Sequence, residues 1–140
     1  MKKVISSFLV CIMIFSCCGS ALAADIEPYA SLSLTSTYAN ISTGTNSGEI
    51  RINFSATASK SASLIGASII TIYQSNGGRV ATIYGSTANG FMAGGVSRKS
   101  GSYTYKGNSG TSYYAVVTLA ATAGGESDSR NITTNVARAK

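Results

Sequence analysis

Five carboxylates hold whatever acid/base chemistry this chain can perform: Asp25, Glu27, Glu49, Glu126 and Asp128. The sequence has no histidine, and its 3 cysteines are Cys11, Cys17 and Cys18. Beyond Cys18 there is thus no imidazole base, no thiolate nucleophile and no ordinary zinc set. An enzyme built here would have to work with carboxylates alone. A glycosidase needs two of them across a cleft, one with a raised pKa. Asp25 and Glu27 sit in a stretch expected to fray. Glu126 and Asp128 follow Gly124-Gly125, and a carboxylate on a solvated turn keeps its ordinary pKa. Glu126-Ser127-Asp128-Ser129 offers oxygens to Ca²⁺, but the ion takes six or more, and no further acid stands nearby. The glycine-rich segment 85–101 has no G-x-x-x-x-G-K-[ST] pattern, and no helix follows it. Nothing singles out a lysine for covalent chemistry. The expectation is a non-enzyme with no catalytic residue, metal or cofactor.

The aromatic side chains point elsewhere. There are 8 tyrosines and no tryptophan. Tyr38, Tyr73, Tyr84, Tyr103, Tyr105, Tyr113 and Tyr114 fall in or beside predicted strands, so they cannot all point inward. Buried tyrosines pack a sheet with the hydroxyl at its rim, whereas exposed ones mark interfaces. The candidate ligand contacts are Tyr114, Phe91, Arg98, Lys99, Glu126 and Asp128.

These residues must be positioned by strands, because period-two alternation dominates the chain. In "GEIRINFSATAS" Ile50, Ile52, Phe54, Ala56 and Ala58 fall on one face, with Arg51, Asn53, Ser55 and Thr57 on the other. Ser68 to Gln74 and Arg79 to Tyr84 read as a hairpin. Asn76-Gly77 supplies the two positive-φ residues of a type I′ turn. Bulky groups on both faces of 69–73 suit a central strand. Gly85 to Gly101 has little periodicity and reads as a long loop tucked onto the core by Phe91 and Met92. Further strands are expected at 31–41, 102–106, 113–121 and 130–136, with the charged run 126–130 as the turn between the last two. Six to eight strands at this spacing describe a sandwich.

The N-terminus carries an address. Lys2 and Lys3 precede an apolar run to Cys18, then the small-residue site Gly19-Ser20-Ala21-Leu22-Ala23. That is the order of a secretory signal peptide, residues 1–23, with Ala21 and Ala23 specifying cleavage. Lipid anchoring at Cys17 or Cys18 is the weaker reading, because Phe15 is too bulky for the residues that precede a lipidated cysteine. All cysteines lie in this leader, so the domain at 24–140 is expected to rely on its core rather than on disulfides. The chain has 11 Lys and Arg against 5 Asp and Glu. The cations are scattered, unlike a nucleic-acid-binding stripe. A solvated surface fits them better, with weak attraction to an anionic cell surface as the alternative.

"YKGNSGTSYYAVVTLAATAGGESDSRNITT", Tyr105 to Thr134, resembles the E–F turn, F strand and G strand of fibronectin type III and related immunoglobulin-like sandwiches. The inner-face pattern is Tyr113, Ala115, Val117, Leu119 and Ala121. By that likeness Tyr113 is a tyrosine-corner residue bonded to backbone upstream. "GEIRINFSATAS" is similar to the B strand, with Phe54 where a tryptophan is usual, and Ser68 to Tyr84 to the C and C′ strands. The arrangement also resembles a family of small secreted proteins of unknown function from clostridia-like Gram-positive bacteria. They share an I-x-P-x-A-S-like start (Ile26 to Ser31 here), an "IGAS" hairpin and the "YYAVVT…GG-SDSR-TT" end. Such a likeness implies fold and export, not activity.

The expected protein is all-β: a single antiparallel β-sandwich, immunoglobulin-like or fibronectin-type-III-like, preceded by a cleavable signal helix. Its expected role is a secreted, extracellular binding or adhesion module at the bacterial surface, contacting a cell-surface glycan or protein. Neither nucleic acid nor, once the leader is removed, membrane is an expected partner. The alternatives are a structural subunit assembling through sheet edges and, less well supported, a bacteriocin-like toxin.

Overall fold

A computed structural model describes residues 32–140. The expected leader, its cleavage site, Asp25 and Glu27 lie outside the described residues. The described chain is all-β, with strands β1 (Leu34–Thr43), β2 (Glu49–Ala62), β3 (Leu64–Gln74), β4 (Arg79–Tyr84), β5 (Met92–Ala93), β6 (Val96–Lys106), β7 (Ser112–Ala123), β8 (Glu126–Thr133) and β9 (Ala137–Arg138). Every pairing is antiparallel. One sheet has the order β1-β2-β6. The other has the order β4-β3-β7-β8, with β5 beside β3 and β9 beside β7.

Alternation places the core where the sequence suggests. Ile50, Ile52, Phe54 and Ala56 of β2 are buried against Ile70 and Ile72 of β3 and Tyr113, Ala115, Val117 and Leu119 of β7. Each enclosed isoleucine contributes about 1.5–3 kcal/mol relative to exposure. β3 is indeed central, between β4 and β7. The strands likened to C′, C, F and G are β4, β3, β7 and β8, adjacent in that order, while the B-like strand β2 lies in the opposite sheet. Tyr113 is buried, and its hydroxyl accepts the Asn108 N–H at 3.0 Å, five residues upstream. That is the tyrosine corner the resemblance implies.

Three expectations are corrected. First, 85–101 is not one long loop. Its second half opens β6, where Arg98, Lys99, Ser100 and Gly101 pair with Thr57, Ala56, Ser55 and Phe54. The strand shows no apolar alternation because Gly101 and Lys99 occupy inward positions. A Cβ on Gly101 would stand 2.6 Å from the Phe54 ring, which fills the space itself.

Second, the Asn76-Gly77 turn is not type I′, since no non-glycine residue among those described has positive φ. Instead Gly77 N–H bonds Gln74 O at 2.9 Å, and Gln74 N–H bonds Gly78 O at 2.8 Å. Ser75-Asn76-Gly77 forms a three-residue loop with Gly77 at φ 90°. Such loops combine a type I turn with a left-handed glycine. The Asn76 carboxamide accepts the Gly78 N–H at 3.0 Å and so closes its own turn.

Third, the charged run 126–130 is strand, not turn. The reversal is Gly124-Gly125 alone, at φ 58° and 85°, with Ala123 opposite Glu126. Two successive positive-φ residues in a two-residue loop define the type I′ geometry. β8 therefore begins earlier than expected and ends at Thr133. Thr134 prolongs the pairing by bonding Ala115 through both backbone and hydroxyl.

Candidate functional site

The tight Gly124-Gly125 reversal fixes where the two candidate carboxylates go. Ala123 and Ala121 face inward on β7, and their partners across the ladder are Glu126 and Asp128. Both acids therefore lean toward the rim of the sandwich, where β1 begins. Glu126 accepts the Leu32 N–H at 2.9 Å and Asp128 accepts the Leu34 N–H at 2.8 Å. Lys60 at the end of β2 reaches the same Glu126 oxygen at 2.9 Å, forming an ion pair. The Lys60 bond, then the Leu32 N–H, hold the Glu126 carboxyl below the usual carboxylate range. A general acid needs the opposite shift. The pair acts as a clamp on the backbone of the first strand. Among the described residues no three potential metal-ligating side chains converge. Glu49 closes a loop instead: it accepts the Asn46 N–H and amide at 3.0 Å, and these bonds lower its pKa.

Phe91, placed among the ligand contacts from sequence, is not on the surface. It is 8% exposed and wedged edge-on between Phe54 and Tyr103, with ring centroids 5.8 and 5.7 Å away. The expectation that Phe91 and Met92 tuck their segment onto the core holds, and it removes Phe91 as a contact. Arg98 points outward from β6, and Lys99 points inward at the rim opposite Ala56. An inward charge on an edge strand discourages edge-to-edge pairing.

Tyr114 stands on the outer face of the four-stranded sheet. Tyr73 lies directly across on β3, and the two rings stack at 5.1 Å and 11°. Register sets the neighbours. Thr71 is opposite Val116 and Thr82, and Ile69 is opposite Thr118 and Tyr84. Tyr84 is 71% exposed. Arg79 stands opposite Tyr73 at the edge. From there an open groove of about 330 Å³ runs along β4, lined by Arg79, Val80, Ala81, Thr82 and Tyr84. No carboxylate lies on this face among the described residues, because Glu126 and Asp128 lean the other way. A second hollow, about 410 Å³, lies beside Lys60 and Glu126, whose charges already neutralise one another.

The opposite outer face, on the β1-β2-β6 sheet, is different in kind. It is a grid of hydroxyls and amides, with Asn53 bonded to Asn40 at 3.0 Å and Ser100 to Ser55 at 3.1 Å. Tyr38, 53% exposed and opposite Ser55, is the aromatic exception on this face; the stacked pair belongs to the other sheet.

Sequence reasoning picks out Tyr114 but misses its stacking partner Tyr73 and the exposed Tyr84 on the same face. Their signal is the set of bulky groups at Ile69, Thr71 and Tyr73, which on sequence alone indicates centrality. A strand can be central within its sheet and still have an outer face open to partners. Compared with known proteins, the chain matches no family model and no curated protein.

Proposed function

We propose that this is an exported, non-enzymatic binding module whose contact surface is the outer face of the four-stranded sheet. The Tyr73–Tyr114 stack carries the reading, with exposed Tyr84 further along the same face, opposite Ile69. Two rings already stacked on rigid strands lose little freedom on binding, so more of their contact energy is realised as affinity. Thr71, Thr82, Thr118 and Arg79 frame the rings with hydrogen-bonding groups. Apolar ring surface ringed by polar side chains suits a cell-surface glycan or a protein patch. Export rests on the leader-like N-terminus and on the likeness to small secreted proteins.

The test is retention on cell-wall glycan, mucin and whole-cell surface material. Replacing Tyr84 and Tyr114 with alanine should abolish the retention that survives high salt without lowering the unfolding midpoint appreciably. Undiminished retention by that variant at high salt would rule the face out.

Assembly through sheet edges has one observation in its favour. β6 is an edge strand of 11 residues, paired on one side only. Against it, Lys99 points inward on this edge, and the antiparallel register about Ser102 would set Arg98 of one copy against Lys106 of the other. Like charges in such positions destabilise a ladder.

A further inference from the structure

We propose that the outer face of the β1-β2-β6 sheet is a second site, which takes a linear anionic polysaccharide. The proposal is independent of the tyrosine face on the other side of the sandwich. It begins from a charge imbalance. Of the chain's 11 Lys and Arg only Lys2 and Lys3 precede the described residues, whereas Asp25 and Glu27 remove two of its 5 acids. The acids left are Glu49, Glu126 and Asp128, and each is engaged by its own chain. Lys60 makes the only ion pair among the described residues. The remaining cations form no ion pair there, although Glu49 lies across from Lys106 and feels its charge.

Folding gathers cations that are scattered in sequence. Arg51 on β2 stands opposite Thr104 on β6, one outward position from Lys106. Arg98 marks the far end of the same face, opposite Thr57. Glu49, across from Lys106, is the one acid there, and it is turned to Asn46. Arg98 and Lys106 are eight residues apart, about 27 Å at roughly 3.4 Å per residue. That exceeds the screening length of about 8 Å at physiological salt. A single anion therefore feels one end, and only a polymer engages both and gains from linkage.

The ground between the charges suits sugar. Ser55, Ser100, Ser102 and Asn53 present hydroxyls and amide groups at strand spacing, and Tyr38 of β1, exposed opposite Ser55, adds a ring on which a sugar face can stack. Arg51 is bonded to Ser102 at 3.2 Å and Ser100 to Ser55 at 3.1 Å, so the surface is ordered before a ligand arrives. A polyanion whose repeats also carry hydroxyls can replace the water on this grid as well as the counterions.

The test uses three probes: polygalacturonate, its fully methyl-esterified form, and inorganic polyphosphate. The protein should bind polygalacturonate with an affinity that falls steeply as salt is raised, since bound counterions are released. It should bind the ester and the polyphosphate weakly or not at all. Replacing both Arg98 and Lys106 with glutamine should lower affinity about tenfold or more. Arg79→Gln with Arg130→Gln, which removes equal charge from the other sheet, should change it less than about twofold. The Tyr84→Ala/Tyr114→Ala variant should bind polygalacturonate normally. Equal losses in the two arginine and lysine doubles would reduce the effect to net charge and overturn the site. Undiminished binding of the ester, or preference for polyphosphate, would overturn the polysaccharide assignment, as would no binding of polygalacturonate. Should the Arg98/Lys106 double variant fail to fold, Arg51→Gln alone, at an exposed position, takes its place. It should weaken polygalacturonate binding severalfold, and an unchanged affinity would overturn the site.

Discussion

Tyr113 and Glu126 do comparable work with opposite chemistry. Each uses a side-chain oxygen to satisfy a backbone N–H at a place where no strand partner is available. Tyr113→Phe keeps the buried ring and strands the Asn108 N–H, so it should cost about 1–3 kcal/mol. Urea unfolding should show a lower midpoint with an unchanged slope. Glu126 makes its contribution pH-dependent. Its folded pKa lies below the unfolded value, so the stabilisation is complete above the usual carboxylate range. It is lost as pH falls through the lowered folded pKa. Denaturation midpoints of the protein and of Glu126→Gln should therefore differ near neutrality and converge in acid. A constant offset at all pH values would contradict the clamp. Tyr113 was legible because alternation put it inside and the resemblance named its role. The clamp was not, since nothing in "GGESDSR" reveals that the start of another strand, 94 residues away, supplies the donors.

Strands were legible where alternation was apolar and obscure where an inward position held glycine or lysine. β2 and β7 show the first case. β6 shows the second, for its inner face is partly filled by an aromatic ring from the neighbouring strand. Gly101→Val should drive a branched side chain into Phe54 and destabilise by about 1–3 kcal/mol, whereas Ser100→Val on the outer face should be tolerated. Thermal melts of the two variants make the comparison. Turns follow the same logic. Asn-Gly is a strong type I′ signal, yet Asn76 spends its carboxamide on Gly78, and the I′ geometry belongs to Gly124-Gly125. Gly124→Asn should thus be nearly neutral, because asparagine accepts the left-handed region. Gly125→Ala should cost about 1–2 kcal/mol. If both were equally harmful, the turn would not have this geometry.

At the scale of the whole sandwich, the two open sides are not alike. On one side the edges β4 and β6 carry exposed side chains. On the other, β1 meets β8 and the C-terminal segment, and side chains take the place of a ladder. Glu126 and Asp128 hold Leu32 and Leu34, and Asn135 completes the seam. Its carboxamide oxygen accepts the Ile41 N–H at 3.3 Å, and its NH₂ donates to the Ile41 carbonyl at 3.0 Å. One asparagine thus mimics a paired backbone residue at a point where β8 has ended. Side-chain closure at Leu32, Leu34 and Ile41 binds the sheets together and occupies edge groups that another chain would need to extend the sheet. The consequence is local and measurable. Asn135→Ala should speed amide exchange at Ile41 by about tenfold or more, and leave Ile70 and Val117, deep in the other sheet, close to the global rate. Asn135→Asp separates the two bonds. A carboxylate still accepts from the N–H but cannot donate, and it repels the Ile41 carbonyl. Its Ile41 exchange should therefore be fast at neutral pH and slow as the carboxyl is protonated, relative to Asn135→Ala at the same pH. If exchange at Ile41 were the same in all three proteins, the seam would not be held by this residue.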